Sequence, residues 1–108
     1  MSDAAVSWQE PNLLRVSGEV DFASATSVRR QGEALIERAP GAFVVDLEGL
    51  SSTHSVALSV LMRWLAVARR HNKECRIERI PGKLLDVARV SGLDQVLPLG
   101  GTEPAATA

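Results

Sequence analysis

A chain of 108 residues and 11.6 kDa has room for one hydrophobic core, and 45% hydrophobic content is ordinary for a globular domain. No window approaches the roughly 18 unbroken apolar residues of a membrane span, and Met1-Ser2-Asp3-Ala4-Ala5 lacks the basic and apolar regions of a secretory signal. A single cysteine, Cys75, excludes an internal disulfide and a cysteine-built metal site, and the expectation is a cytoplasmic protein.

The net charge of −1 conceals an asymmetry: residues 1–50 carry eight acids and four bases, whereas residues 51–83 carry seven bases and two acids. The basic band, centred on Arg69 to Arg79, suits an acidic protein surface, anionic lipid or nucleic acid, or is a solvated face balanced by the acidic half. No aromatic residues interleave with these bases and there is no Tyr, so base stacking has little to work with and nucleic acid is set aside.

In chain order, Val6–Gln9 and Leu13–Ser17 flank the turn-like Glu10-Pro11-Asn12 and predict a hairpin. From Asp21 to Arg38, Phe22, Ala25, Val28, Leu35 and Ile36 recur at near-helical spacing, and Ala39-Pro40-Gly41 ends the run. Gly32, in its middle, costs about 1 kcal/mol relative to Ala. Phe43 to Leu47 is short and β-branched and reads as a buried strand. Ser51-Ser52-Thr53-His54-Ser55 then supplies hydroxyls able to cap a helix running from Val56 to about His71. Glu74–Ile80 reads as a strand and Lys83–Val90 as a short helix stopped by Ser91-Gly92. Residues 100–108 hold no core-forming side chain, and a disordered tail is expected.

Projected at about 100° per residue, the second helix separates cleanly. Val67, Val60, Trp64, Ala57, Ala68, Leu61, Leu65 and Leu58 form the buried side. Ser55, Ser59, Ala66, Arg63 and Arg70 lie opposite, with Met62 on the edge. A strip of small residues allows close approach, Met62 adapts its shape, and arginine pairs with carboxylate, so the strip is a plausible docking surface as well as a solvent face. Val44, Val45, Leu47, Val60, Leu61 and Leu65 are expected in one core.

Catalysis has little support. His54 and His71 stand at opposite ends of the second helix, roughly 25 Å apart at 1.5 Å per residue, and cannot share a metal. Ser55 adjoins His54, but neighbours on a helix point in different directions, and no third group is evident to orient the imidazole. No Walker-type phosphate loop occurs. Neither a cofactor nor a metal ligand set is expected.

Several stretches resemble one family. Val44-Val45-Asp46-Leu47, followed by a polar loop and the helix start Ser55-Val56-Ala57-Leu58, is similar to the STAS domain of anti-sigma-factor antagonists. So are Ser17-Gly18-Glu19-Val20-Asp21 ahead of the first helix, and Pro81 to Ala88 with Ser91-Gly92-Leu93 at the end. The resemblance covers residues 6–99. It implies an α/β fold, a mixed sheet of four to five strands with helices mainly on one face, and a domain spanning 1–99. In the family loop an Asp precedes the phosphorylatable hydroxyl, then a small residue, Gly and Leu. Here those positions hold His54, Ser55, Val56, Ala57 and Leu58.

Within the family, the length, Ser7-Trp8-Gln9 and the Ala57-Leu58 helix look most like the MlaB-type subunits of the Mla phospholipid ABC transport system. That resemblance implies a non-catalytic cytoplasmic subunit bound to the transporter's ATPase, in a complex with permease and lipid-binding subunits, peripheral to the inner membrane through its partner. The implied partner-binding residues are His54, Ser55, Ser59, Met62 and Arg63. The alternative is a partner-switching antagonist that binds an anti-sigma kinase and is released when Ser55 is phosphorylated. His54 in place of the loop Asp departs from that pattern.

Overall fold

Alternation builds the first hairpin: Val6 and Trp8 of β1 (Ala5–Gln9) stand across from Val16 and Leu14 of β2 (Leu13–Gly18) in an antiparallel register. In the computed structural model, which describes residues 3–51 and 54–100, β3 (Phe43–Leu50) runs parallel to β2 and β4 (Cys75–Glu78) parallel to β3. The strand order is β1-β2-β3-β4. The two parallel steps are made by α1 (Ala25–Arg38) and α2 (Ser55–Arg70). Parallel crossovers are right-handed, so two successive steps in one direction bring both helices to one face of the sheet. A third helix, α3 (Gly82–Val90), lies against α2 and buries Leu84 and Ala88. The protein is thus a single α/β domain with a four-stranded mixed sheet and three helices.

The core lies between sheet and helices. Leu14, Val16, Phe43, Val45, Leu47 and Ile77 meet Val28, Ile36, Leu58, Leu61 and Trp64 there. The helical projection of α2 holds residue for residue: all eight side chains assigned to its inner face are buried. Val44 is a correction. It sits on the other side of the pleat from Val45 and is half-buried on the uncovered face, because successive strand residues point oppositely.

Gly32 has a packing reason that no local pattern could reveal. The Trp64 indole lies against it, and a methyl group there would meet the ring at 2.2 Å. The indole Nε1 donates to the Arg29 carbonyl at 3.0 Å, so the largest buried side chain is also hydrogen-bonded.

Phe22 is a second correction. Instead of starting the helix's buried stripe it is 83% exposed, because Asp21 to Ser24 form a turn before α1 begins. Within this turn the Ser24 amide donates to Asp21 Oδ1 and the Asp21 amide to Ser24 Oγ, both at 3.0 Å. This reciprocal pair works as a capping box one turn ahead of the helix.

The uncovered face of the sheet carries one fully buried carboxylate. Asp46 accepts from Arg15 Nε and Nη2 at 3.3 and 3.2 Å, from Arg79 Nε at 2.9 Å and from the Glu48 amide at 3.0 Å. Burial pushes its carboxyl pKa up, but the Arg79 and Glu48 hydrogen bonds, the Arg79 charge and Arg15 together outweigh that and hold it below the usual 3.8. Arg79 adopts a left-handed backbone (φ 58°) directly after β4, so the strand expected to reach Ile80 stops at Glu78.

After a 3-10 turn at Leu93–Gln95 the chain returns to β4. The Ile77 amide donates to the Pro98 carbonyl at 2.9 Å and the Gly100 amide to the Ile77 carbonyl at 2.8 Å. Gly100, assigned above to the tail, is therefore tied to the sheet, and the remainder of that tail lies outside the described residues.

Candidate functional site

Three segments converge at the carboxyl ends of β2 and β3: the Glu19–Ser24 turn, the start of α1 and the start of α2. Extended backbone at His54 (φ −80°, ψ 138°) makes it the residue preceding the helix, and Ser55 is the first helical residue, one earlier than expected. Hydroxyl capping is not what His54 offers, for its side chain makes no capping bond. Two of the cluster's hydroxyl residues, Ser52 and Thr53, lie outside the described residues.

The imidazole of His54 turns toward β2 and lies 3.2 Å from Glu19 Oε2, on the surface. Asp21 stands in the same acidic turn. Its carboxyl is held below the usual 3.8 first by the Ser24 amide, then by the Ser24 hydroxyl, against weak desolvation, with the Ala23 amide and His54 adding to the lowering. The His54 ring thus faces acids, not the Ser55 hydroxyl beside it. Among the described residues, no hydrogen bond joins His54 to Ser55 as base to nucleophile. Burial pushes the half-buried Cys75 thiol up to about 12, which favours its protonated form. Among the described residues no group of three His, Cys, Asp or Glu side chains is placed to hold a metal ion.

Along α2, Ser55, Ser59, Arg63 and Ala66 are exposed and Met62 is half-buried on the edge, as the projection requires. Beside this strip runs a groove of about 180 Å³ between α1 and α2. Ala25, Thr26 and Arg29 form one wall and Val56, Ser59, Val60 and Arg63 the other. The structure therefore brings Ser59 and Arg63 into one concave feature. His54 and Ser55 stand at the helix start, and Met62 is not part of the lining. The α1 wall was missed from sequence, although Ala25, Arg29 and Glu33 repeat at a spacing of four, which marks one helical stripe. Arg29 Nη1 pairs with Glu33 Oε2 at 2.9 Å, and Arg63 Nε approaches the same oxygen at 4.0 Å.

Three bases of the band, Lys73, Arg76 and Arg79, have partners within the fold. Lys73 Nζ donates to the Ile36 and Glu37 carbonyls at 2.7 and 2.9 Å, capping the C-terminal end of α1. Arg79 holds Asp46, and Arg76 reaches Glu78 at 3.5 Å. A larger cavity of about 330 Å³ lies elsewhere, between β1 and the end of α1, lined by Trp8, Glu10, Leu35, Arg38, Ala39 and Pro40.

A family model described as Mlab, STAS domain, matches residues 5–99. The chain belongs to the STAS domain family. Among solved structures, this STAS domain is similar to a chain of the Acinetobacter MlaFEDB complex in an ATP-bound conformation. The two are 29% identical over 83% of this chain and 95% of that one, with a TM-score of 0.72. It is also similar to an anti-sigma factor antagonist from Mycobacterium paratuberculosis, with 22% identity, coverage of 92% and 85%, and a TM-score of 0.70. Against the antagonist SpoIIAA in its unphosphorylated form the values are 15% identity, 96% and 93% coverage, and 0.69. The last two likenesses concern the fold alone. A sequence comparison with curated proteins finds no match. No enzyme family is among these matches, and no helix of the described residues is long and apolar enough to cross a membrane.

Proposed function

We propose that this chain is the STAS subunit of an Mla-type ABC transporter that moves phospholipids between bacterial membranes. It binds and regulates the ATPase subunit, on the cytoplasmic side of the inner membrane, through the N-terminal half of α2. The observation that carries this reading is the Mlab family match over residues 5–99, with 29% identity to a chain of the MlaFEDB complex across 95% of that chain. The geometry supports it: the strip Ser55, Ser59 and Arg63 is exposed, with Met62 at its edge, and its small side chains offer close approach to a partner.

A second reading, the partner-switching antagonist, has one feature in its favour. The exposed Ser55 occupies the first turn of α2, where the positive end of the helix dipole favours a phosphate. His54 at the loop's Asp position, turned to Glu19, counts against it.

The test is retention of the purified Mla-type ATPase subunit from the same host by folded variants of this chain. Ser55→Arg places bulk and charge in a close contact. It is expected to cost several kcal/mol, hence two or more decades in affinity, while the helix-dipole term on the fold is about 0.3–1 kcal/mol. Ser55→Ala is expected to bind nearly as the parent. Equal retention of Ser55→Arg and parent removes this surface as the interface. Retention of an anti-sigma kinase instead, lost on phosphorylation of Ser55, establishes the second reading.

A further inference from the structure

Two arginines converge on one carboxylate at the end of the α1–α2 groove, and their unequal geometry is informative. Arg29 is held close to Glu33, and both side chains are mostly covered, at 28% and 20% exposure. Arg63, at 64% exposure, only grazes the same oxygen at 4.0 Å. Two positive charges share one negative charge, leaving one positive charge in excess where the groove opens. The walls leading to it are short and largely apolar, from Ala25, Val56 and Val60, with the hydroxyls of Thr26 and Ser59. At the opposite end of the surface stand the acids Glu19 and Asp21, with Glu19 against His54. The surface is thus polarised, acidic at the start of α2 and basic at Arg63, about two turns further along.

We infer that the groove receives an apolar side chain of the partner ATPase followed by an acidic one, with Arg63 as the recruiting cation and Glu33 as an internal competitor for it. This rests on the docking reading above and adds the chemistry of the partner segment. A basic partner group would meet two guanidiniums, whereas a carboxylate completes a pair that Glu33 leaves half-made. Glu33 lowers the affinity by neutralising in advance the charge that the partner seeks. Removing its charge therefore strengthens the association.

Affinity of the full chain for the purified ATPase subunit is measured by calorimetry or surface plasmon resonance at two salt concentrations. Glu33→Gln keeps the side chain's shape and is expected to tighten binding about three- to tenfold. Arg63→Glu is expected to weaken it at least tenfold, and both effects shrink at high salt, as rim charges do. Circular dichroism melts confirm that each variant is folded. A Glu33→Gln variant that fails to tighten binding overturns the inference, and one that weakens it shows that the partner group is basic. If neither charge variant changes affinity while Ser55→Arg abolishes it, the groove lies outside the interface and the docking reading stands. If Ser55→Arg has no effect either, both fall.

Discussion

The two faces of β3 are stabilised by different means. Toward the helices, Phe43, Val45 and Leu47 contribute area, packed with Trp64 and Leu61 in a continuous apolar core. On the opposite face, one residue away along the strand, Asp46 contributes a single buried charge satisfied by two arginines and an amide. Area is non-directional and tolerant of exchange at constant volume. A buried carboxylate is specific in geometry and sensitive to protons, and it keeps Arg15, Arg79 and the end of β4 in one arrangement. The same strand therefore combines a forgiving face with an exacting one.

Substitutions on each face sharpen this contrast. Trp64→Ala removes the largest core side chain and its bond to Arg29, and is expected to destabilise the fold by about 3–5 kcal/mol in denaturant titration. An unchanged midpoint would remove Trp64 from the core. Gly32→Ala comes next: helix propensity alone predicts a gain of about 1 kcal/mol, but the methyl would drive into the Trp64 ring, so a net loss of about 1–3 kcal/mol is expected. A measured stabilisation would show that the ring can retreat.

Asp46→Asn tests the exacting face and is expected to cost about 1.5–3 kcal/mol, the worth of a charged hydrogen bond. Because the folded pKa of Asp46 is depressed, its contribution is present above the usual 3.8 and lost as pH falls through the lower folded value. The melting temperature of the parent should therefore fall more steeply than that of Asp46→Asn below about pH 4. Parallel acid profiles would sink the assignment. Smallest of all is Asp21→Ala, which loosens an exposed turn. Its acid dependence has the same sign, since Asp21 is also depressed, and a melt at neutral pH should register only a slight decrease.

Element order, the buried face of α2 and the family were legible in the sequence because each is a local or periodic signal. What was hidden is tertiary. Gly32 reads as a helix defect until Trp64, 32 residues later, is seen lying on it. Phe22 has helical spacing, but the Asp21–Ser24 bonds close a turn first and leave it in solvent. The band of bases looks like a ligand surface, yet Lys73, Arg76 and Arg79 are engaged by α1 carbonyls, Glu78 and Asp46. Of the candidate site, the α2 strip was visible by projection. Its second wall was not, because Ala25, Thr26 and Arg29 become neighbours of Ser59 only when the two crossovers land side by side.

The return of residues 98–100 to β4 covers part of a strand edge that would otherwise be open. A sheet's last strand offers unpaired amides and carbonyls to any extended chain, including another copy of itself. Here the Pro98 carbonyl and the Gly100 amide occupy the outward groups of Ile77, sealing that border with three residues of irregular backbone. Trimming the chain before Pro98 would strip these partners from Ile77 and take Leu99 from the margin of the core, leaving a strand edge open to edge-to-edge pairing.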